Sequence, residues 1–517
     1  MLVVISCVRV PGLPNCNDRP TFKAIPVTKF HAKAQSYKPG RKEDFQPLRL
    51  CAYVCSFARN FFIILLFLRV TDAYASVPAR VTISIDSPTQ VTVEAELPVP
   101  TRSWSFRNAY AGALGFAERV KDFRAGEGSG QDAGAKKIAS GEFRAERDAS
   151  RILYTLDLSS ATGAEVPHIS WLTVGRGFLM FADLIPRDIE NLSAEFKLPF
   201  GWMVESSISS DKNSRYDVSD PENAVFIVGS SLDKTSNTNL ALVVSGIWAF
   251  KDAKALDAAT QVIKQYTALT GFKLPGTPLI AIAPFSFGGS KWKAETRGAT
   301  VILLIDPEAH FDTWIGQLEV IFTHELLHLW VPNSLKLEGD YDWFFEGFTL
   351  YMALRTALEL KVINFKGFLE TLAGAYDVYI SHPDDVSLIQ ASETRWTSGF
   401  NQVYVKGMLV GFLYDLKIRK ESGGKAMLAD RYRDLFDGRV AANTSANEAI
   451  IALLDAGPAM SGFGKLYVEK NTRLELGQLL PTYGLALDTS GKKSQLEVSR
   501  NLSAEQKQLL RSLGYRD

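Results

Sequence analysis

Apolar and polar positions change period along this chain, and the change divides it. Short alternating runs recur over Val81–Ile85, Gln90–Leu97, Ile152–Leu156, Phe178–Phe181, Ala194–Leu198, Ala224–Val228 and Leu240–Val244. Period two between Gly, Pro, Asp and Ser clusters predicts a sandwich-like β-domain over residues 76–250. The Gly-, Ala- and Asp-rich stretch Arg124–Gly141 reads as a long exposed loop within it. From 251 the period lengthens. Leu256–Leu269 reads as a helix, Pro278–Ala283 and Ala299–Ile305 as strands, and a further helix starts near Asp312, whose carboxylate suits a cap. Its apolar face includes Trp314, Ile315, Leu318, Ile321 and Phe322. A second helix covers Trp343–Leu360, and an apolar helical run ends near Ile418. Lys425–Phe436, Ala446–Leu454, Phe463–Glu469 and Ser503–Leu513 read as short amphipathic helices. The expected architecture is α+β and multidomain: a β-domain over 76–250, a mixed domain over 251–420 and a small helical region over 421–517.

Candidate chemistry concentrates in Ile321–Gly347. His324-Glu325-Leu326-Leu327-His328 puts two histidines four residues apart, on one helical face and one turn above each other. That is half a metal site. A catalytic zinc usually takes three protein donors and keeps one position for water, so a third donor is needed. Glu346, 18 positions past His328 and beyond a break at Pro332 and Gly339, is the candidate, on a second helix folded against the first. Glu325 adjoins the first ligand and points off the metal axis, where a general base belongs. The competing reading is a buried amphipathic helix with structurally satisfied histidines, and Glu346 taken alone reads better as a solvated or first-turn glutamate behind an Asp342 cap, its value coming from the company of the histidines.

The start of the chain has a different character. Residues 1–57 show no periodicity and read as an unstructured extension or a mis-assigned start. Residues 58–75 combine a basic flank, the apolar run Phe61–Leu68 and an Ala73-Tyr74-Ala75 exit, the pattern of a secretory signal peptide cleaved near Ala75. Eight apolar residues stopped by Arg69 are too few for a bilayer span. No methionine lies between Met1 and Met180, so a downstream start would use another codon. Cys7, Cys16, Cys51 and Cys55 all precede the cleavage, and a secreted or periplasmic mature chain would carry no thiol, which excludes a cysteine nucleophile or cysteine-ligated metal.

Composition adds exclusions. The 517 residues are 46% hydrophobic and 22% charged, ordinary globular values. Lysine plus arginine equals aspartate plus glutamate at 57 each, which leaves no field for nucleic acid.

His324-Glu325-Leu326-Leu327-His328-Leu329-Trp330, followed by Trp343-Phe344-Phe345-Glu346-Gly347-Phe348-Thr349-Leu350-Tyr351, resembles the gluzincin metallopeptidases. The pattern is most similar to the glycyl aminopeptidase family (H-E-x-x-H-x-W, then W-x-x-E-G-x-T-x-Y), with the aminopeptidase N family as near neighbour. Aminopeptidase N relatives carry one more residue between the second histidine and the glutamate. The resemblance implies Zn2+ held by His324, His328 and Glu346, Glu325 as base, a thermolysin-like catalytic domain over 251–420 and a peptide or protein substrate. Tyr404-Val405-Lys406-Gly407 matches a Y-x-K-G stretch in which these families place an oxyanion-stabilising tyrosine; read from the residues alone, Tyr404 is equally a core side chain. Asn333 matches an asparagine that supports the site from behind the ligands, and Leu198-Pro199-Phe200-Gly201-Trp202 resembles a β-domain element. His168, His310 and His382 receive no metal role.

The relatives also carry, ahead of the metal helix, a glycine-led segment whose glutamate pairs with a substrate's α-amino group. Aligning Gly288-Gly289 with it puts Lys291 at the glutamate position. A lysine there repels an ammonium, so the expectation is weak aminopeptidase activity, with Glu295 a substitute in a turn before the next strand. Exo- versus endo-cleavage stays open. Two further readings stand beside the peptidase: a non-catalytic peptide-binding protein on the same scaffold, and a zinc hydrolase acting on another bond.

Overall fold

A computed structural model of the protein describes residues 77–516 apart from 129–130, 160–165, 249, 287–291, 307–313, 383–385 and 439–443. The N-terminal extension, the signal-like segment, the Ser76 start, Gly288, Gly289, Lys291, His310 and the Asp312 cap lie outside the described residues.

The alternating runs fold into two sheets. A seven-stranded sheet has the order Tyr216–Val218, Leu192–Lys197, Ala79–Ser87, Gln90–Ser105, Glu142–Asp157, Val120–Gly126, with Lys136–Ala139 also pairing Glu142–Asp157. Its register puts Val81 opposite Ala95, Ile83 opposite Val93 and Ile85 opposite Val91. All six are buried on the inner face, as period two requires. A four-stranded antiparallel sheet, Met203–Ser206, Val225–Gly229, Arg176–Met180 and Trp171–Thr173, covers that face with Leu172, Leu179, Phe226 and Val228.

The second sheet is covered on its other side as well. Trp171, Phe178, Met180, Val225 and Ile227 pack on Ala241, Val243, Leu279, Ala281, Ile302 and Leu304 of a third sheet. A strand buried on both faces has no polar side to show, which is why Phe178–Phe181 and Ala224–Val228 are continuously apolar. The third sheet has five strands, in the order Asp233–Ser236, Ala241–Val244, Leu279–Pro284, Thr300–Ile305, Trp292–Arg297. The expected β-domain limit at 250 therefore needs correction at the level of pairing. Leu240–Val244 is as continuously apolar as Phe178–Phe181 and Ala224–Val228, but Ala241–Val244 runs parallel to Leu279–Pro284 and belongs to the sheet beneath the helices. Period two reports burial on a pleated surface and is blind to which sheet supplies the partner.

The opposite face of the third sheet, Leu242, Val244, Ile280, Ile282, Val301, Leu303 and Ile305, is covered by helices in one large apolar cluster. Asp252–Thr270, Trp314–Glu325, Thr349–Glu359 and Gly407–Glu421 bear the expected helical patterns; Phe365–Ser381, capped by Asn364, and Leu388–Glu393 carry helical structure not read in the sequence. Leu428–Phe436, Ala446–Leu454 and Ala504–Ser512 form the C-terminal helices. The supposed loop 124–141 contains the end of Val120–Gly126 and the short strand Lys136–Ala139. All four residues of the latter are exposed, so no apolar face marks it in the sequence. No helix among the described residues is long and apolar enough to cross a membrane.

Candidate metal centre and its cleft

The helix Trp314–Glu325 tightens into a 3₁₀ turn over Leu326–Leu329, carrying His324 and His328 into the interior. Their Nε2 atoms lie 3.1 Å apart. The Nδ1 of His328 lies 3.1 Å from the carbonyl oxygen of Val331, which as acceptor fixes the proton on Nδ1 and leaves Nε2 with its lone pair forward.

Glu346 arrives from the second helix, whose first turn, Trp343–Phe348, is π-helical before Thr349–Glu359 continues as α-helix. Its Oε2 lies 3.5 Å from Nε2 of each histidine and accepts no hydrogen bond. The three donors fall within 4.8 Å of one another, and all three residues are buried. Two imidazole nitrogens, one oriented by a backbone carbonyl, and a free carboxylate oxygen converging on one point fit a zinc ion; an orphaned buried carboxylate oxygen is otherwise costly. Histidine protonation reflects the crowding. Burial pushes His324 down to about 4, whereas at His328 burial is outweighed by the Glu346 carboxylate and the value rises to about 9.

The helix pair that brings Glu346 here meets glycine to glycine. A Cβ on Gly347 would stand 2.3 Å from the carbonyl oxygen of Val403 and 2.6 Å from Cα of Gly407. A Cβ on Gly407 would stand 2.9 Å from Cα of Gly347. Only bare backbone allows this approach. It sets Tyr404, in a second π-helical turn over Gln402–Lys406, beside Glu346.

Arg395, which the sequence did not single out, links the two. Its Nη2 donates to Glu346 Oε1 at 2.6 Å and to the Tyr404 hydroxyl, and its Nη1 donates to Asp342 Oδ1 at 2.7 Å. The guanidinium lies 4.3 Å over the Trp396 ring. Burial, overcome by Arg395 and His328, leaves the Glu346 carboxyl well below its ordinary range, while burial pushes the Tyr404 phenol up against the pull of Arg395. An arginine in a loop between helices has no periodic signature. The only hint lay in the adjacent Trp396, partly exposed and aromatic.

Glu325 stands where a base is wanted. Thr296 Oγ1 donates to its Oε2 at 3.1 Å, Oε1 has no hydrogen-bond partner, and burial pushes the carboxyl up to about 7. Thr296 belongs to the edge strand Trp292–Arg297, and alternation sends its neighbour Glu295, opposite Ile302, to the other face. Glu295 is therefore in a strand, where a turn was expected. His168 Nδ1 contacts its Oε2 at 2.6 Å, the Tyr110 hydroxyl donates to Oε1 at 3.3 Å, and Arg297 lies 3.6 Å away. Burial raises the Glu295 carboxyl less than His168 and Arg297 lower it, so it stays ionised. Although assigned a loop position, His168 helps to line the cleft, between Tyr110 and Trp396 at centroid distances of 6.0 and 5.6 Å. Asn333 donates from Nδ2 to the carbonyl oxygen of Gly298 at 2.9 Å, tying the segment after the metal helix to the edge-strand turn. Glu325, His328, Glu346, Tyr404, Glu295 and Arg395 share a cavity of about 330 Å³.

No family model matches the chain. The puromycin-sensitive aminopeptidase of Caenorhabditis elegans is 31% identical over 101 residues, which are 19% of this chain and 11% of that protein's length. An aminopeptidase N family protein from Idiomarina loihiensis superposes with a TM-score of 0.69 at 16% identity, covering 83% of this chain and 82% of that one. The fold is shared with aminopeptidase N family structures. A mutant M1 zinc metallopeptidase from Deinococcus radiodurans, bound to a Tyr-Ser-Ala substrate, gives a TM-score of 0.50 at 12% identity, covering 77% of this chain and 94% of that one. These likenesses fall on the aminopeptidase N side, the neighbour that the histidine-to-glutamate spacing had ranked second.

Proposed function

We propose that the protein is a zinc-dependent metallopeptidase that removes residues from the free N-terminus of peptides. The observation that carries this reading is the convergence of His324, His328 and Glu346, the last two lining one cavity with Glu325 and Tyr404. A zinc ion held by those three donors would activate a water and polarise the scissile carbonyl. Glu325 takes the proton of the attacking water and passes it to the leaving amine, a task suited to a carboxylate raised toward neutrality. Tyr404 donates to the oxygen on which negative charge develops.

Glu295 supplies the reason to expect exo-cleavage. It is a half-buried, ionised carboxylate on the strand that lines the cleft, reached by the Tyr110 hydroxyl on one oxygen and by His168 on the other. A carboxylate oxygen accepts more than one hydrogen bond, which leaves acceptor capacity for an α-ammonium. This replaces the expectation of weak aminopeptidase activity drawn from Lys291. The finer likeness to glycyl aminopeptidases rests on the sequence pattern alone and is kept as part of the proposal, as is export after cleavage near Ala75, which N-terminal sequencing of the exported protein checks. Hydrolysis of one peptide with a free and with an acetylated N-terminus tests the exo reading. The free form should be preferred by roughly a hundredfold or more, with Glu295→Gln removing most of that preference through KM; equal rates would overturn it.

A further inference from the structure

We infer that Arg395 is a positioning residue that sets two working atoms at once: the Glu346 oxygen left for the metal, and the direction of the Tyr404 hydroxyl proton. The inference rests on the zinc peptidase reading and adds a residue to it.

Glu346 has two oxygens in different circumstances. Oε1 accepts from Arg395 Nη2 at 2.6 Å, whereas Oε2 accepts no hydrogen bond and faces both imidazoles at 3.5 Å. A carboxylate pinned by one oxygen presents the other in a fixed orientation, and such support of a ligand sharpens metal binding. The same Nη2 donates to the Tyr404 oxygen. A phenol oxygen that accepts from a guanidinium keeps its own proton as a donor, and among the described residues no acceptor takes it. It is available to the cleft, which Tyr404 lines with Glu325 and His328.

Arg395 is itself held in place. Asp342 Oδ1 takes Nη1 at 2.7 Å, and the guanidinium is stacked 4.3 Å over Trp396 and 5.6 Å over Phe345. The planar fork matters: three acceptors are served from two nitrogens whose relative positions are rigid, which a lysine ammonium cannot reproduce.

The test compares Arg395→Lys, Tyr404→Phe and the double variant in the full chain, with zinc affinity read by chelator competition and kcat and KM measured at saturating zinc. Arg395→Lys should weaken zinc binding roughly tenfold to a hundredfold. It should also lower kcat at least about tenfold while KM stays within about threefold, and the double variant should turn over no more slowly than Tyr404→Phe alone. Wild-type zinc affinity and kcat in Arg395→Lys, or losses that multiply in the double variant, would overturn the inference. Should Arg395→Lys fail to fold, Asp342→Asn loosens the outer anchor and should show the same two losses to a smaller degree; wild-type values there overturn the inference equally. Failure of the underlying reading is distinguishable, since it would appear in the wild-type chain as no zinc uptake and no cleavage.

Discussion

Where the helical stretches 343–359 and 402–421 meet, two groups each combine a carboxylate, an arginine and a tyrosine, for opposite ends. In one, Glu346 meets Arg395 and Tyr404; a few residues further along, Asp415 meets Arg419 and Tyr351. The Asp415 group is closed. Its Oδ1 accepts from the Leu428 amide at 2.8 Å, and its Oδ2 from the Tyr351 hydroxyl at 2.7 Å and Arg419 Nε at 2.9 Å. Nearby, Arg355 and Arg419 also donate to the carbonyl oxygens of Leu513 and Ser512, fastening the C-terminal helix to the pair. At Glu346 one oxygen is held open. A buried carboxylate with both oxygens hydrogen-bonded is a rivet; one with an oxygen withheld and two histidines facing it is a binding site.

The bare Gly347–Gly407 contact lies between the two groups, so breaking it should disturb both. Gly347→Ala forces a Cβ against backbone atoms that cannot swing aside, and should cost about 3 kcal/mol or more of stability and the bound zinc as well, read by thermal unfolding and metal analysis. The tyrosines then separate the groups. Tyr404→Phe should lower kcat by roughly two to three orders of magnitude with little change in Tm. Should it leave turnover intact, Tyr404 is a core residue.

In the closed group the losses fall on stability. Asp415→Asn should destabilise by about 3 kcal/mol, because it leaves the buried Arg419 guanidinium without its carboxylate. Burial raises the Asp415 carboxyl less than Arg419 and Arg355 lower it, so its folded-state value is depressed. The stability it contributes is complete above the unfolded value of about 3.9 and is lost as pH falls through the folded value. Acid titration of wild type and Asp415→Asn should therefore converge at low pH. The smallest effect expected is for Tyr351→Phe, about 2 kcal/mol of stability with kcat unchanged; a fall in turnover as large as that of Tyr404→Phe would erase the distinction between the groups.

What could be read in the sequence follows the same division. His324, Glu325 and His328 lie within about one helical turn, so their spacing alone brings them together, and the two helices that meet them are apolar runs buried nearly all round. Glu346 stood out only by its company with the histidines and Tyr404 only through resemblance, because each lies in a π-helical turn where the spacing of an ordinary helix misplaces side chains. Arg395 was invisible, since it belongs to a loop and acts through partners 9, 49 and 53 positions away. Glu295 was misplaced for a related reason. Its strand is a polar edge, and Trp292–Arg297 has too few apolar positions to show period two. The order of the sheets was likewise hidden, as Ala241–Val244 shows, because alternation names a face and leaves the partner strand unspecified.

Under the proposed function Glu325 does chemistry beside a metal it does not hold. Glu325→Gln keeps shape and hydrogen bonds and removes only the basic oxygen, so zinc content and peptide turnover should be measured together on that variant and the wild type. Both chains should hold about one zinc each, with a rate lower by at least roughly a hundredfold in the variant. Unchanged hydrolysis with zinc retained would contradict this role for Glu325.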